Sequence, residues 1–336
     1  MFGQFLIIDF MRALSMRKTT LKRSIVFLSV GFLVSLWSGG RLSAQDGPVA
    51  RRAHTTAYHA GLELVVVFGG QSADGKVLAD LWGWDGERWR LLDDGAHGPA
   101  PRSRHAMAYD PTNDRLVIHG GGTIERDFGD TWAWTVEGWT RLESEGPGPR
   151  SHHHMAYDPA SGCLVLYGGG RSDEGFGHQT WTLRDVAWRR SDAILRPGRV
   201  LAGVTSSPRG ILLFGGFIRQ APRSSELWSW HAGRWTLVRE GGPPRLIYPG
   251  VAWNHATDRL LLFGGEADAG LTDEMWTWNG SDWARHEGVR RPRPRTEHGL
   301  AYDRHRRVVV LFGGKTADGP ANDVWEWDGE RWARVW

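Results

Sequence analysis

Short apolar runs recur along this chain, and each of them ends in a pair of glycines. They read VVVFGG, LVIHGG, LVLYGG, ILLFGG, LLLFGG and VVLFGG, and their first glycines lie 51, 48, 47, 49 and 49 residues apart. Mostly unbroken apolar character, without alternation, is typical of a strand that is buried on both faces. The pattern therefore predicts six copies of one buried strand.

Tryptophan is a second marker with the same period. One tryptophan follows each glycine pair, at Trp82, Trp132, Trp181, Trp228, Trp276 and Trp325. Two independent markers that keep one period of about 49 residues predict an array of six structural repeats. The 45 glycines and 20 tryptophans of the chain suit many short strands joined by tight turns.

Each repeat predicts four strands, which we label a to d in chain order. Strand a includes the stretch HAMAYD at His105–Asp110, and strand b is the apolar run. Strand c holds a Trp-x-Trp pair such as Trp82 and Trp84, and strand d opens with a further tryptophan. The Asp85-Gly86 pair between strands c and d is a strong hairpin signal, because both residues tolerate a positive φ.

The glycine pairs, the aromatic strands c and d and the period together resemble the kelch repeat. The resemblance covers residues 51–336 and implies an all-β fold, a six-bladed β-propeller of four-stranded antiparallel blades. Tryptophan stands on strand c where kelch repeats usually place tyrosine, and Leu183 takes this position in the third repeat. The propeller is expected to occupy residues 45–336, with blades at about 51–95, 96–145, 146–193, 194–240, 241–289 and 290–336.

Closure of the ring follows from where the repeats begin and end. The first repeat opens with strand a and the last closes with strand d, so six whole blades fit without a shared strand. We expect side-chain packing to join blade six to blade one. A strand added by Gln45–Ala50 is the alternative.

Residues 1–44 differ in character from the repeats. From Met16, which is a predicted alternative start of the protein, a basic stretch leads into the 13-residue apolar run Ile25–Trp37 and then into small residues, as in a secretory signal peptide. The run is shorter than the roughly 20 residues of a membrane-spanning helix. We therefore predict a secreted or periplasmic protein that is cleaved after Ala44 and keeps no membrane span. An uncleaved membrane anchor is the alternative.

Charge and cysteine content narrow the function classes. Residues 1–44 contain six of the 41 basic residues and one of the 38 acidic residues, so the remainder carries a net charge of −2 rather than the +3 of the whole chain. This balance argues against nucleic-acid binding, which needs a strongly basic face. Cys163 is the single cysteine, so no internal disulfide is predicted.

One face of the ring, here called the upper face, carries the b–c and d–a connections, where propellers place their ligand sites. An arginine and a histidine recur near the start of strand a, and an acid recurs just before strand c. The arginine–histidine pairs are Arg51/His54, Arg102/His105, Arg150/His153 and Arg295/His298, and the acids are Asp80, Asp130, Glu226, Glu274 and Asp323. A set repeated in most blades predicts a structural clasp between arginine and carboxylate, and a site for an anionic sugar or a metal is the alternative.

Residues that break the repeat are the better candidates for binding, because the fold does not require them. Arg199 takes the histidine position of blade four, and Tyr248 or Pro249, depending on an offset of one residue, takes that of blade five. His152 extends the run to three histidines. His119 stands where other repeats have Phe or Tyr, and we interpret it as a buried, hydrogen-bonded residue. The predicted binding residues are Arg126, His152, Arg171, Glu174, His178, Arg199, Arg219, Arg223 and Tyr248.

Two kinds of kelch-like enzyme provide a comparison. Galactose oxidase needs a Tyr–Cys crosslink and copper ligands, but Cys163 begins strand b at the end of the ring away from the upper-face histidines. Periplasmic sialic-acid epimerases are similar in fold and in predicted location, but none of their motifs can be matched here residue by residue. We therefore predict no catalytic residue, no metal site and no cofactor.

The leading hypothesis is an exported, monomeric binding module for a protein or glycan partner at the upper face. The first alternative is a carbohydrate-modifying enzyme such as a sugar epimerase, with Glu174 or another loop acid as the general acid–base. The second alternative is a structural subunit of an envelope complex.

Overall fold

The computed structural model describes residues 47–171, 175–219, 223–288 and 290–336, and the predicted signal peptide lies outside them. Every regular element of the described residues is a β-strand. The strands form six antiparallel sheets, each with its strands in the order a-b-c-d, arranged as the blades of a propeller. The predicted all-β, six-bladed architecture is therefore confirmed.

Strand a is the innermost strand of every blade, because each strand a contacts the strands a of both neighbouring blades. The a strands are Thr55–His59, Ala106–Asp110, Ser151–Asp158, Gly203–Ser207, Gly250–Asn254 and Gly299–Asp303. The b strands are Leu64–Phe68, Arg115–His119, Cys163–Arg171, Gly210–Phe214, Arg259–Phe263 and Val308–Phe312. The c strands are Leu81–Trp84, Thr131–Thr135, Gln179–Arg184, Leu227–His231, Met275–Trp278 and Val324–Trp327. The d strands are Trp89–Asp93, Gly138–Leu142, Ala187–Ile194, Arg234–Arg239, Trp283–His286 and Trp332–Arg334.

Short two-residue strands near the upper face form separate two-stranded sheets, except Gly175–Phe176, which pairs with strand b of blade three. They are Arg51–Arg52, Gln71–Ser72, Gly175–Phe176, Arg199–Val200, Phe217–Ile218, Glu266–Ala267, Gly270–Leu271, Lys315–Thr316 and Gly319–Pro320. Arg51–Arg52 pairs with Gln71–Ser72, so the chain before strand a is tied to the chain that follows the glycine pair of the same blade.

The apolar b strands form the core because each of them is covered by a neighbouring blade on both faces. All five residues of Leu64–Phe68 are buried, and the strands Arg115–His119 and Gly210–Phe214 are buried almost throughout. Burying a Val or Leu side chain fully contributes about 1.5–3 kcal/mol, so an unbroken apolar run stabilises both seams of its blade.

One aromatic contact recurs at every seam between blades. The tryptophan at the first or second position of strand d packs against the aromatic residue near the end of strand b in the preceding blade, with ring centroids 4.9–5.5 Å apart. The six pairs are Trp89–Phe312, Trp139–Phe68, Trp188–His119, Trp235–Tyr167, Trp283–Phe214 and Trp332–Phe263. Offset and edge-on aromatic pairs of this kind add about 0.5–1.5 kcal/mol to the burial of their area.

The ring closes through the same contacts that join its other blades. Trp89 of blade one packs on Phe312 of blade six, and the indole of Trp84 donates a hydrogen bond of 2.9 Å to Glu326. In the described residues each blade takes its four main strands from one continuous stretch, and the segment 47–50 contains no strand. The propeller therefore closes without a shared strand, through side-chain packing and through backbone hydrogen bonds such as the one of 3.1 Å that the N–H of Ala53 donates to the carbonyl of Glu297.

We expect the closing seam and an internal seam to contribute equally to stability. Trp89→Ala at the closing seam and Trp332→Ala at the seam between blades five and six both empty a buried aromatic site. Each substitution is expected to lower the free energy of unfolding by about 3–5 kcal/mol. Urea denaturation followed by tryptophan fluorescence measures both changes.

Leu91→Ala is the control, because Leu91 lies on strand d of blade one but is 49% exposed. It is expected to change the free energy of unfolding by less than about 1 kcal/mol. A loss for Trp89→Ala as small as the Leu91→Ala loss would show that the seam does not hold the ring closed.

Candidate functional site

The central channel is lined by three layers of six side chains, one from each strand a and the residues just before it. The layers lie two, five and seven residues after the arginine position that precedes strand a. The upper ring consists of Ala53, Arg104, His152, Leu201, Tyr248 and Glu297. The waist consists of Thr56, Met107, Met155, Val204, Val251 and Leu300. The lower ring consists of Tyr58, Tyr109, Tyr157, Ser206, Trp253 and Tyr302.

All six upper-ring residues have a left-handed backbone, with φ between 50° and 62°. This conformation is uncommon for residues other than glycine and costs free energy. It is supported by backbone hydrogen bonds that run from blade to blade: the N–H of Arg104 donates to Ala53 at 2.9 Å, and that of His152 donates to Arg104 at 2.9 Å. The fold thus imposes a backbone geometry at this layer and leaves the side chains free to vary.

The left-handed residue also shifts the alternation of the strand. Waist and lower-ring residues are separated by two positions, as alternation requires, but the upper ring lies three positions before the waist. As in a β-bulge, one residue with an irregular backbone conformation lets side chains that are three positions apart point to the same face of the strand. Strict alternation along the sequence therefore does not identify the upper ring.

The upper ring encloses a cavity of about 200 Å³ at the mouth of the channel. The rings of His152 and Tyr248 lie 5.9 Å apart, and Arg104 donates a hydrogen bond of 2.9 Å to the carbonyl of Thr123. Glu297 forms an ion pair of 2.9 Å with Arg52 of the adjacent blade. Burial and then the charge of Arg104 lower the pKa of His152 to about 4, so its imidazole is neutral at pH 7.

Tyr248 stays protonated for a related reason. Burial raises the pKa of its phenol, and the negative charge of Glu297 raises it further. The cavity therefore combines hydrogen-bonding groups that are neutral at pH 7 with Arg104, which has no carboxylate within 4.0 Å in the part of the chain that the structure describes. Such a set is suited to hold a polar ligand with an anionic group.

The repeated arginine and acid form a buried clasp in four blades. Arg102 is fully buried and donates to both oxygens of Asp130 at 2.7 and 3.0 Å and to the carbonyl of Gly120 at 3.0 Å. The indole of Trp132 donates to the same carboxylate at 2.8 Å. The equivalent pairs are Arg51–Asp80, Arg199–Glu226 and Arg295–Asp323.

The clasp also sets the charge of its acid. Burial acts to raise the pKa of Asp130, but the hydrogen bonds and the positive charge of Arg102 outweigh burial, and the pKa lies below its usual 3.8. Each clasp ties the start of strand a to the glycine pair and to strand c. These side chains are therefore engaged in holding the loops of the upper face.

The structure corrects the residues assigned to the histidine position of blades four and five. In blade four this position is Ala202, three residues after Arg199, and in blade five it is Pro249 rather than Tyr248. Arg199 is fully buried and donates to Glu226 at 2.7 Å as a clasp arginine. In blade five the clasp position is occupied by buried Leu246, and the preceding Arg245 is exposed. Glu274 consequently pairs with Arg285 at 3.0 Å.

Blade three differs because Gln179 stands at the acid position. Arg150 is fully buried and donates to the carbonyls of Gly168 at 2.9 Å and of Pro147. The arginine of this blade is thus bound to backbone oxygens as in the other clasps.

The repeated histidines lie in the seams, where each packs edge-on against the aromatic residue of the preceding blade. His105 lies 5.2 Å from Phe68 and His298 lies 5.8 Å from Phe263. His119 is completely buried and contacts the hydroxyl of Thr131 at 2.9 Å and the carbonyl of Gly148 at 3.3 Å. Their geometry serves packing between blades.

The three consecutive histidines of blade three separate in space. His152 belongs to the upper ring, and His154 is buried with its ring 6.5 Å from Tyr167. His153 packs on His119 of blade two, with ring centroids 5.4 Å apart. No group of three or more His, Cys, Asp or Glu side chains in the described ranges is arranged to hold a metal ion.

The other predicted binding residues lie on loops around the mouth. Arg126 is exposed and stacks over Phe128 at 4.9 Å, and Arg219 is exposed on the b–c loop of blade four. Arg223 is bound to Glu266 of the next blade at 2.8 Å. His178 is half-buried, the side chain of Arg171 is not described, and Glu174 lies outside the described residues.

Two functional candidates were missed from the sequence, namely Arg104 and Glu297. Both occupy the second position after the clasp arginine, where all six blades have a different residue. An alignment of the six repeats identifies both residues, because this position differs in every blade. A search for residues that break the arginine–histidine pattern does not find them.

No helix in the described part of the chain is long and apolar enough to cross a membrane. A family model of the KLHDC2/KLHL20/DRC7 Kelch-repeats domain matches residues 35–188. Over 82 residues the chain is 37% identical to Dynein regulatory complex subunit 7 of Chlamydomonas reinhardtii, a match that spans 23% of this chain and 7% of that protein. The structure of YjhT shares the fold with a TM-score of 0.67 at 15% identity, over 86% of this chain and 99% of YjhT.

The buried histidines predict that mild acid destabilises the protein. Burial and then the charge of Arg150 lower the pKa of His119 from 6.5 to about 3. Its imidazole therefore stays neutral in the folded protein at about pH 5 but is protonated in the unfolded chain. Stabilisation from this group is complete above pH of about 6.5 and is lost as the pH falls toward about 3.

His119→Phe introduces the residue that Phe68, Phe214, Phe263 and Phe312 provide in other blades. It is expected to reduce the loss of unfolding free energy between about pH 7.5 and about pH 5 by about 2 kcal/mol. Urea denaturation at the two pH values measures this difference. His231→Phe, at an exposed position, is the control, and an equal effect of both substitutions would contradict the assignment to burial.

Proposed function

Because the chain is a kelch-repeat β-propeller, we propose that it is a binding module whose site is the upper mouth of the central channel. One observation supports this site above all others. The six upper-ring positions share a strained backbone, yet their side chains are all different. Strained backbone that presents unrepeated polar side chains to a cavity is typical of a functional site.

The chemistry of the ring indicates the kind of ligand. The charge of Glu297 is matched by Arg52, whereas Arg104 has no carboxylate within 4.0 Å in the described ranges. An arginine presents several donors in a fixed arrangement that suits carboxylate or phosphate oxygens. The proposed partner is therefore a protein or glycan that inserts an anionic group beside Arg104, with Tyr248 and His152 as further hydrogen-bonding groups.

Screening the purified full chain against a glycan array and against immobilised protein fractions tests this function. For a ligand obtained in this way, Arg104→Ala and Tyr248→Ala are each expected to weaken binding by about tenfold or more, because each removes a hydrogen-bonding group from the cavity. Isothermal titration calorimetry measures the affinities.

Arg126→Ala is the matched control, because it removes an exposed arginine from the rim without altering the upper ring. Its affinity is expected to stay within about twofold of the unmodified protein. A ligand whose affinity falls only for Arg126→Ala would place the site on the loops and refute the channel-mouth assignment.

A carbohydrate-modifying enzyme is the second candidate, and one observation favours it. An acid, a phenol and an imidazole, from Glu297, Tyr248 and His152, belong to the same layer of one cavity. General acid–base chemistry needs groups of this kind within hydrogen-bond reach of the reacting atoms. Chemical change of a bound sugar during the same titrations, lost in Glu297→Gln, would identify the protein as an enzyme.

We further propose that residues 1–44 direct export, since a basic stretch, the apolar run Ile25–Trp37 and small residues follow one another there. N-terminal sequencing of the protein purified from its natural source is expected to start at Gln45. A mature chain that starts at Met1 or Met16 would contradict cleavage.

A further inference from the structure

The lower half of the channel contains a second and larger cavity, which the binding site proposed above does not use. Its volume is about 510 Å³, within the range of about 300–1,000 Å³ that small-molecule sites usually have. The waist residues line both cavities and therefore form the boundary between them. We call this lower cavity the lower chamber.

The waist gives the lower chamber an apolar floor. Five of its six side chains are Met, Val or Leu, and Thr56 is the sixth. An apolar floor favours the burial of an apolar ligand surface and offers little to a strongly hydrated one.

The wall of the lower chamber is aromatic. Three of its four tyrosine hydroxyls take part in hydrogen bonds within the protein: Tyr109 donates to Asp114 at 2.6 Å, Tyr157 shares a hydrogen bond of 3.0 Å with Thr112, and Tyr58 accepts the N–H of His305 at 3.2 Å. The wall therefore offers mainly aromatic ring surface. A flat apolar ligand is suited to such a wall better than a sugar, which needs many hydrogen-bond partners.

The wall has one gap, at blade four. Ser206 takes the position that an aromatic residue occupies in the other five blades, and its hydroxyl accepts the N–H of Tyr157 at 3.1 Å. The smaller side chain leaves space between the tyrosine of blade three and Trp253 of blade five.

The lower chamber is lined by positive charge only, among the described residues. Of the lining residues that the structure describes, Arg304 is the only formally charged one, and none is Asp or Glu. Arg304 donates to the ring of His255 at 3.2 Å, and in the described segments no carboxylate lies within 4.0 Å of its guanidinium. The lower chamber thus combines an apolar body with one cationic group at its mouth.

We propose that the lower chamber is a binding site for a small carboxylate with a flat, apolar body. The apolar part lies on the waist and between the aromatic rings, and the carboxylate accepts hydrogen bonds from Arg304. A charge-assisted hydrogen bond of this kind gives the site its preference for an anion.

Isothermal titration of the full chain with 2-naphthoate and with its neutral analogue 2-naphthamide tests this proposal. The naphthoate is expected to bind about tenfold tighter or more, and Arg304→Gln is expected to bring the two affinities to within about twofold. Equal affinities in the unmodified protein, no binding of naphthoate, or an unchanged preference in Arg304→Gln would each overturn the proposal.

Ser206→Tyr tests the shape of the site independently of charge. The fold accommodates an aromatic residue at this position in the other blades, and the larger side chain is expected to weaken naphthoate binding by about tenfold. Arg307→Gln is the control for the charge test, because Arg307 is exposed on the same turn as Arg304 and does not line the lower chamber.

Tyr248→Ala, in the upper ring, separates this site from the one proposed at the other mouth. It is expected to leave naphthoate binding unchanged, because the waist lies between the two cavities. Loss of naphthoate binding in Tyr248→Ala, or full retention of it in Ser206→Tyr, would place the ligand outside the lower chamber.

Discussion

A ring of six sheets closes only when the wedge between each pair of blades is filled to the same width. In this protein one tryptophan from strand d fills every wedge, packing on the aromatic residue near the end of strand b in the preceding blade. Because Trp89 makes the same contact with Phe312 as its counterparts make elsewhere, the seam between first and last blade needs no shared strand. The geometry of the channel depends on this regularity.

The clasps hold the loops of the upper face in the same position in each blade that contains one. A buried guanidinium such as that of Arg102 links the glycine pair, the acid before strand c and, through the acid, a strand-c tryptophan. A buried charge that loses its partner costs several kcal/mol, so each clasp keeps its loop in one position. The left-handed residue two positions later is then held by hydrogen bonds between blades, and strain at the mouth is compensated by the rigid frame below it.

The apolar waist divides the channel into two cavities, one at each end, and their side chains differ in chemistry. The upper cavity is small, polar and lined by unrepeated side chains, whereas the lower chamber is larger and mainly aromatic and apolar. Each has a single arginine without a carboxylate within 4.0 Å in the described residues, Arg104 above and Arg304 below. The two cavities therefore have one cationic group each and differ in size and in the polarity of their walls.

The sequence by itself determined the number of blades, the buried b strands and the residues of most clasps. Glycine pairs, tryptophans and apolar runs are local features that repeat because every blade has the same neighbours. It did not determine which side chains enter the channel at its upper mouth, because one left-handed residue such as His152 changes the alternation without a change in composition. The clasp position of blades four and five was resolved only by the side-chain contact of Arg199 with Glu226 and by the backbone hydrogen bonds of Leu246. Only the tertiary structure decided the three layers of the channel and the separation of its two cavities, since these arise where six different strands meet.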